Sequence, residues 1–236
     1  MCWFSKKQPV VRQLDYSRPF VILNFKTYKE SSGANALKLA KIAEKVSLQS
    51  KVNIIVCPQS IDLKEVASNV KIPVYAQHTD NSVLGKSTGN IIAENLADNN
   101  IHGSLLNHSE KKLDIKDIEK TVVKLKELDM KSVVCAKDNV VAKKLSSLKL
   151  VKPDFIAVEP PELIGGEKSV SESGPEIIER SVKACNGLNV LVGAGIKSNQ
   201  DVMTALKLGA KGVLLSSHYV LSKDPEGFLR ELIKGI

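Results

Sequence analysis

The segment Phe-Ile-Ala-Val-Glu-Pro-Pro-Glu-Leu-Ile-Gly-Gly, residues 155–166, begins with a short apolar run of a kind that recurs along this chain. Four apolar residues end on Glu159, and a stiff Pro-Pro pair, an apolar tip and two glycines follow. This order predicts a buried strand that brings one carboxylate to its carboxyl end, with a hinged loop behind it. A base beside a lid suits proton abstraction from carbon, because such a base works best in a water-poor site. The alternative is a solvent-facing glutamate before an ordinary turn.

Seven further short runs rich in Val, Ile and Leu alternate with amphipathic segments. These runs are predicted as strands over Phe20–Leu23, Val52–Cys57, Val74–Gln77, Gly103–Leu106, Ser132–Cys135, Val190–Val192 and Gly212–Leu215. Apolar residues at three- and four-residue spacing predict helices over Ala34–Val46 and Ile115–Leu128. Eight strand–helix units in 236 residues predict an α/β fold that is a single (β/α)8 barrel. An open doubly wound sheet would have a Gly-x-Gly-x-x-Gly after the first strand, where Asn24-Phe25-Lys26 stands instead.

Several helix ends carry their own signals. Asp114 can cap the helix that follows it, Pro175 and Asp224-Pro225 each begin a helix, and Gly209 ends one. Ser198 with Asp201 three residues later predicts a capping box.

The barrel is predicted to occupy residues 18–236. Residues 1–17 are predicted to be a mostly irregular N-terminal extension, in which Trp3 and Phe4 lie beside two lysines without the apolar centre of a secretory signal. No stretch is long and apolar enough to predict a membrane span, and no linker indicates a second domain.

The formal net charge of +8 comes from lysines spread along the helical segments. Because these lysines are not clustered with aromatic residues, they indicate a solvated outer face and not nucleic-acid binding. A positive field would still attract an anionic metabolite. The four cysteines, Cys2, Cys57, Cys135 and Cys185, form no Cys-x-x-Cys pair, which indicates small buried residues of a reducing cytoplasm.

Polar residues follow the predicted first and fourth strands. Asn24 and Lys26 are two positions apart and therefore on one side of the chain, where a lysine can act as a point charge toward phosphate or an enolate. His108 can donate to a substrate carbonyl, and a helical turn from Ser109 would keep its ring neutral. Glu110 could pair with Lys26. Taken singly, a loop lysine and a structural histidine are the alternatives.

Small residues follow the predicted seventh and eighth strands. Gly193-Ala194-Gly195 and Ser216-Ser217 free backbone amides at the corner where barrel enzymes commonly bind phosphate. The two segments together predict a phosphate site more strongly than either alone.

Together these segments resemble the triosephosphate isomerase family, in its short archaeal type, from about Pro19 to the C-terminus. The resemblance is carried by Asn24–Tyr28, Ala76–His78, Leu106–Glu110, Ala157–Gly165, Gly193–Ile196 and Gly212–Ser217. It implies the TIM barrel and the interconversion of dihydroxyacetone phosphate and D-glyceraldehyde 3-phosphate, a step of glycolysis and gluconeogenesis. It also implies that no metal or cofactor takes part.

The resemblance further implies roles for single residues. Glu159 would be the base and His108 the neutral electrophile. Lys26 would offset charge on the enediolate, and Glu110 would pair with Lys26. The remaining substrate-binding residues would be Asn24, Phe25, Ile164, Gly165, Gly195, Ser216 and Ser217.

Two other functions remain open from the residues. One is another phosphate-binding barrel isomerase or lyase, as in tryptophan or histidine synthesis, and the other is a barrel retained as a scaffold without turnover. The resemblance implies a homo-oligomer, with a tetramer favoured and a dimer possible. The segments Ile115–Leu128 and Asn139–Leu148 are candidates for the tetramer contact, and Gln77–Gly89 for the dimer contact.

Overall fold

The computed structural model describes residues 9–160, 169 and 175–236 of the chain. The strands are β1 (Phe20–Asn24), β2 (Asn53–Cys57), β3 (Tyr75–Ala76), β4 (Gly103–Leu106), β5 (Lys131–Ala136), β6 (Phe155–Val158), β7 (Asn189–Val192) and β8 (Gly212–Leu215). The helices are α1 (Ala34–Leu48), α2 (Leu63–Ala67), α3 (Ala93–Asp98), α4 (Ile115–Glu127), α5 (Asn139–Ser146), α6 (Pro175–Ala184), α7 (Asn199–Lys207), α8 (Ser217–Val220) and α9 (Pro225–Leu232).

The eight strands form one parallel sheet in the order β2-β1-β8-β7-β6-β5-β4-β3. The two end strands meet through a single parallel bridge between Val56 and Val74, which closes the sheet into a barrel. The predicted (β/α)8 fold is therefore confirmed, and each of the eight strands begins and ends within one residue of its predicted bounds.

The third strand is shorter than predicted. Only Tyr75 and Ala76 pair regularly with β4, whereas the sequence predicts a strand over Val74–Gln77. Proline at position 73 has no N–H to give to the ladder. Val74 pairs with β2 through one isolated bridge, and on the other side its carbonyl accepts the His102 N–H at 2.8 Å. Gln77 follows the strand, and its side chain donates to the backbone carbonyls of Lys26 and Cys57.

Successive strand residues alternate between two apolar layers. One layer fills the barrel and the other packs the sheet against the helices; in β1, for example, Phe20 and Ile22 point inward and Val21 and Leu23 outward. Because both faces are buried, the strands are continuous apolar runs and show no polar alternation. This burial on both faces fixes the positions of the strand ends, where the polar residues begin.

Most helix-end predictions are confirmed. Ser198 and Asp201 form the predicted capping box, Pro175 begins α6, Asp224 caps α9, and Gly209 follows α7 with a positive φ of 91°. Asp114 is the exception: it occupies the N-cap position of α4, but its side chain makes no capping hydrogen bond. The longest described helix has 15 residues, and no described helix is both long and apolar enough to cross a bilayer.

Residues 9–18, here called the N-terminal strap, contain no helix or strand and cross the amino end of the barrel. The Tyr16 ring lies 5.4 Å from that of Phe20 and 5.9 Å from that of Phe155, which are the first residues of β1 and β6. Leu14 packs against the same interior layer. The strap therefore covers the end of the barrel opposite the polar strand ends.

Polar contacts hold the strap in place. The Asp15 N–H donates to Asn53 Oδ1 (3.0 Å), and Asn53 Nδ2 donates back to the Asp15 carbonyl (2.8 Å). The Arg12 guanidinium donates to the Ser47 carbonyl at the end of α1, and the Arg12 N–H to the carbonyl of Lys71. Residues 1–8 of the predicted extension lie outside the described residues.

Candidate active site

The polar residues predicted at the strand ends lie at the carboxyl rim of the barrel. A cavity of about 210 Å³ opens there, and its lining includes Asn24, Lys26, Gln77, His78, His108 and Glu110. Glu159 joins this group from β6, because His108 Nε2 lies 3.4 Å from Glu159 Oε1. Three strands that are far apart in sequence thus bring a lysine, a histidine and a carboxylate to one place.

Lys26 has an unusual backbone conformation. Its φ is 48°, in the left-handed region that residues with a Cβ rarely adopt. The Asn24 side chain accepts the Lys26 N–H at 3.0 Å, and Gln77 Nε2 donates to the Lys26 carbonyl at 2.9 Å. Two amide side chains therefore hold this conformation from both sides, which is how strain is retained at functional sites.

The Lys26 side chain forms the predicted ion pair. Its Nζ lies 2.6 Å from Glu110 Oε1, so Glu110 fixes the direction of the ammonium group at the cavity. The Glu110 side chain is 61% exposed, so this pair orients Lys26 more than it stabilises the fold.

The structure does not bring Phe25 to the cavity. Its side chain is fully buried in the outer layer near Tyr219, with ring centroids 6.3 Å apart. Its N–H donates to Cys57 and its carbonyl accepts the Ser31 hydroxyl. Neither its ring nor its backbone groups are free to bind a ligand.

His108 is buried and its protonation pattern follows from one contact. The Glu110 N–H donates to His108 Nδ1 at 3.1 Å, so Nδ1 is an acceptor and Nε2 carries the hydrogen of the neutral ring. Burial lowers the pKa of His108, the Lys26 charge lowers it further, and Glu110 opposes them. The ring is therefore neutral near pH 7, and its Nε2 lies 3.4 Å from Glu159 Oε1.

The predicted reason for this neutrality is only partly correct. Residues 108–111 form a single turn closed by the Lys111 N–H on the His108 carbonyl (2.8 Å), and the following helix, α4, begins only at Ile115. The hydrogen bond from the Glu110 N–H to Nδ1 therefore takes the place of the predicted helix dipole at Ser109. The preceding residue, Asn107, has a positive φ of 57°, and its side chain bonds the Cys135 carbonyl.

Glu159 is 4% exposed, and burial raises its pKa to about 7. The Cys135 thiol donates a hydrogen bond to its carboxylate, and the Ser109 N–H donates another. These bonds and the Lys26 charge limit the rise, and the Glu110 charge adds to it. A carboxyl with this pKa exchanges protons readily at neutral pH, which suits a general base.

We expect Glu159→Gln to increase thermal stability at pH 8 and to leave it nearly unchanged at pH 4. The folded-state pKa of about 7 exceeds the ordinary value of 4.5, so the folded protein binds this proton more tightly than the unfolded chain. The resulting stabilisation is complete below pH 4.5 and is lost as pH rises to about 7. A neutral glutamine avoids that loss of ~3 kcal/mol, which corresponds to an increase in Tm on the order of 5–10 °C.

Differential scanning calorimetry of both proteins across this pH range is the measurement. An equal change in Tm at pH 4 and pH 8 would mean that ionisation of Glu159 does not destabilise the fold.

The predicted phosphate corner is partly described. Gly195 has a φ of 71°, which only glycine adopts easily, and Ser216 precedes the short helix α8 that begins at Ser217. The Ser216 hydroxyl oxygen is buried and has no hydrogen-bond partner within the described part of the chain. Ile164 and Gly165, the other predicted phosphate-site residues, lie outside the described residues.

Three residues make contacts at the site that were not predicted from the sequence. Gln77, which belongs to the Ala76–His78 segment of the resemblance, donates to the carbonyls of Lys26 and Cys57, both at 2.9 Å. Cys135 is a free buried cysteine, as predicted, and it also contacts the Glu159 carboxylate. Gly193 lies against the Glu159 side chain. Across the described ranges, no group of three or more His, Cys, Asp and Glu residues is placed to hold a metal ion.

The chain is similar to known proteins over nearly its whole length. A family model described as Triosephosphate isomerase matches residues 19–234. A triosephosphate isomerase of Methanothermus fervidus is 50% identical over 220 residues, which are 92% of this chain and 98% of the relative. One from Methanocaldococcus jannaschii is 48% identical over 92% of this chain and 99% of the relative. One from Archaeoglobus fulgidus is 46% identical, with 90% and 96% covered.

Proposed function

Because the chain belongs to the triosephosphate isomerase family, we propose that its strand-end cluster interconverts dihydroxyacetone phosphate and D-glyceraldehyde 3-phosphate through an enediolate. The resemblance predicted from the motifs is confirmed, including its archaeal type. The competing predictions, a barrel of tryptophan or histidine synthesis and a scaffold, are set aside because the family match covers residues 19–234.

One observation carries the proposed residue roles: a buried carboxylate with a pKa of about 7 lies 3.4 Å from the Nε2 of a neutral histidine. A glutamate base paired with a neutral histidine is the known assignment for this enzyme family itself. Here Glu159 would take a proton from one carbon and return it to the neighbouring carbon, while His108 Nε2–H donates to the carbonyl oxygen. A carboxylate of ordinary pKa would be a weaker base for this transfer.

Lys26 would stabilise the negative charge that develops on the enediolate oxygens. Its ammonium group is aimed by Glu110 and its backbone is held by Asn24 and Gln77. A charge fixed before the reaction needs no reorganisation during it, and such preorganised groups supply a large part of enzymatic rate enhancement.

The phosphate dianion would bind at the corner formed by Gly195, Ser216 and Ser217, and the sequence motif adds Ile164 and Gly165 to this set. Support comes from the positive φ of Gly195 and the unpartnered, buried hydroxyl of Ser216 among the described residues. Holding the dianion while the base works protects the enediolate from losing phosphate to water.

We expect Gly195→Val to raise the KM for glyceraldehyde 3-phosphate at least ~10-fold and to weaken 2-phosphoglycolate binding by a similar factor. A branched side chain is strained at a φ of 71° and blocks close approach of the backbone to the ligand. Calorimetric titration with 2-phosphoglycolate measures the binding. Ser217→Gly is the matched comparison, and it should change affinity at most about threefold because the backbone amide remains. Wild-type affinity in Gly195→Val would remove this corner as the phosphate site.

We also propose a cytoplasmic homo-oligomer, with a tetramer favoured over a dimer. Exposed apolar side chains support the predicted contacts. Ile115 at the start of α4 is 47% exposed and Val140 of α5 is 59% exposed, while Val83 and Leu84 of the 77–89 loop are 69% and 59% exposed. Exposed apolar groups of this size suit a contact between subunits.

A coupled assay with glyceraldehyde 3-phosphate tests the activity, and size-exclusion light scattering tests the assembly. NADH consumption by glycerol-3-phosphate dehydrogenase should follow dihydroxyacetone phosphate formation. The control is the Glu159→Ala/His108→Ala variant prepared in the same host, which measures contaminating host enzyme. Rates equal to that control would overturn the proposed function. Four chains of 25.7 kDa should give a mass of about 100 kDa, and a dimer about half of that.

A further inference from the structure

Gly193 follows β7 and lies against the side chain of Glu159. A Cβ built on Gly193 would be 2.6 Å from Glu159 Cγ, 3.3 Å from the Val158 carbonyl oxygen and 3.4 Å from the Glu159 carboxyl carbon. Contacts of 2.6 Å between carbon atoms do not occur in folded proteins, so one of the two groups would have to move. The space that Glu159 occupies thus exists because residue 193 has no side chain.

The backbone at Gly193 is not free to retreat. Its N–H donates to the Val158 carbonyl at 2.8 Å, extending the β6–β7 ladder in which Val158 pairs with Val192. The Glu159 N–H is likewise bound, to the Ala136 carbonyl of β5 at 2.8 Å. With both backbones fixed, a clash at this point could be relieved only by rotation of the Glu159 side chain.

Rotation would break the contacts that hold the carboxylate. In its present position the carboxylate accepts hydrogen bonds from the Ser109 N–H and the Cys135 thiol and faces His108 Nε2. Gly193 is not one of the described glycines with positive φ, so its backbone conformation is open to alanine. The requirement for glycine at this position is therefore one of space and not of backbone conformation.

We propose that Gly193 is a positioning residue for Glu159: the missing side chain leaves the space in which the Glu159 methylene groups lie, and so sets where the carboxylate is held. This separates the two glycines of Gly193-Ala194-Gly195, because Gly195 serves the phosphate corner and Gly193 serves the base. The kinetic part of this inference rests on the proposed function, in which Glu159 is the base.

A cycle of melting temperatures tests the contact without reference to activity. Gly193→Ala is measured alone and in the Glu159→Ala background, at pH 5, where the buried Glu159 carboxyl is protonated. The single variant should lower Tm by roughly 3–10 °C, and the same change in the Glu159→Ala background should lower it by no more than a third as much. If Gly193→Ala alone fails to fold, recovery of folding in the double variant supports the proposal equally. Equal losses in both backgrounds would overturn it.

Kinetics then test the consequence. Gly193→Ala should lower kcat at least ~100-fold, while the affinity for 2-phosphoglycolate stays within about threefold of wild type. The acid limb of the kcat/KM profile should move about one unit or more to lower pH, because a displaced carboxylate regains water. Loss of phosphoglycolate affinity with an unmoved acid limb would assign Gly193 to the phosphate corner and overturn the proposal.

The melting-temperature cycle and the kinetic measurements together distinguish failure of this inference from failure of the proposed function. If Glu159→Ala alone retains wild-type turnover, Glu159 is not the base, yet the melting-temperature cycle still reports on its contact with Gly193. If the cycle shows no coupling while Glu159→Ala abolishes turnover, the proposed function stands and Gly193 does not act through Glu159.

Discussion

Replacing Glu159 with aspartate is expected to leave the barrel folded and to lower kcat by two to three orders of magnitude, on the order of the loss caused by a 1 Å misplacement of a reacting group. The strand end is fixed by the Glu159 N–H on the Ala136 carbonyl, so the shorter side chain cannot be compensated by a shift of the backbone. The carboxylate would then stop short of the substrate carbon. The pKa of the carboxyl group would change much less than its distance from the substrate carbon.

Steady-state kinetics in both reaction directions, with a melting curve for each protein, measure this effect. Glu65→Asp on α2 is the matched control, because Glu65 is exposed and does not line the cavity. Both variants should melt within a few degrees of wild type. Turnover of Glu159→Asp within a few-fold of wild type would remove Glu159 from the role of base.

The second large effect is expected from His108→Gln. Loss of one aligned donor to a developing oxyanion typically lowers kcat ~100- to 1,000-fold. KM should change much less, because the hydrogen bond strengthens as charge moves onto the carbonyl oxygen. A glutamine amide can still donate, but the Glu110 N–H no longer fixes its orientation as it fixes the His108 ring.

His102→Gln is the matched control for this variant. His102 immediately precedes β4, at the opposite end of that strand from His108, and kcat should stay within about twofold of wild type. In wild-type protein, the lowered pKa of His108 predicts a neutral ring with its hydrogen on Nε2 throughout the neutral range. Nitrogen chemical shifts from a histidine-labelled sample report both properties. An imidazolium signal for His108 at pH 7 would contradict this part of the mechanism.

The barrel could be predicted because its signals are local. Each strand is a short apolar run buried on both faces, and each run ends where a polar or small residue begins, as at Asn24, Asn107 and Glu159. Alternation along β1 also indicates that Phe25 points away from Asn24 and Lys26, so its burial in the outer layer follows from the same period of two.

The details that could not be predicted depend on contacts between strands. The positive φ of Lys26 exists because Asn24 and Gln77 hold it, and Gln77 is 51 residues away. The Gly-x-Gly after β7 indicated phosphate binding from composition alone. The first glycine, Gly193, makes room for Glu159 because of the register in which β6 and β7 pair. That register cannot be read from either segment alone.

The N-terminal strap also has a consequence for how the protein is made. Its residues leave the ribosome before the barrel strands do, but Phe155, on which the Tyr16 ring stacks, is synthesised about 140 residues later. The strap therefore cannot dock fully until β6 has joined the barrel, and it must remain available while most of the sheet assembles. Formation of the Tyr16–Phe155 stack would then report that β6 has joined the sheet, and the tyrosine signal of that stack would follow this step of folding.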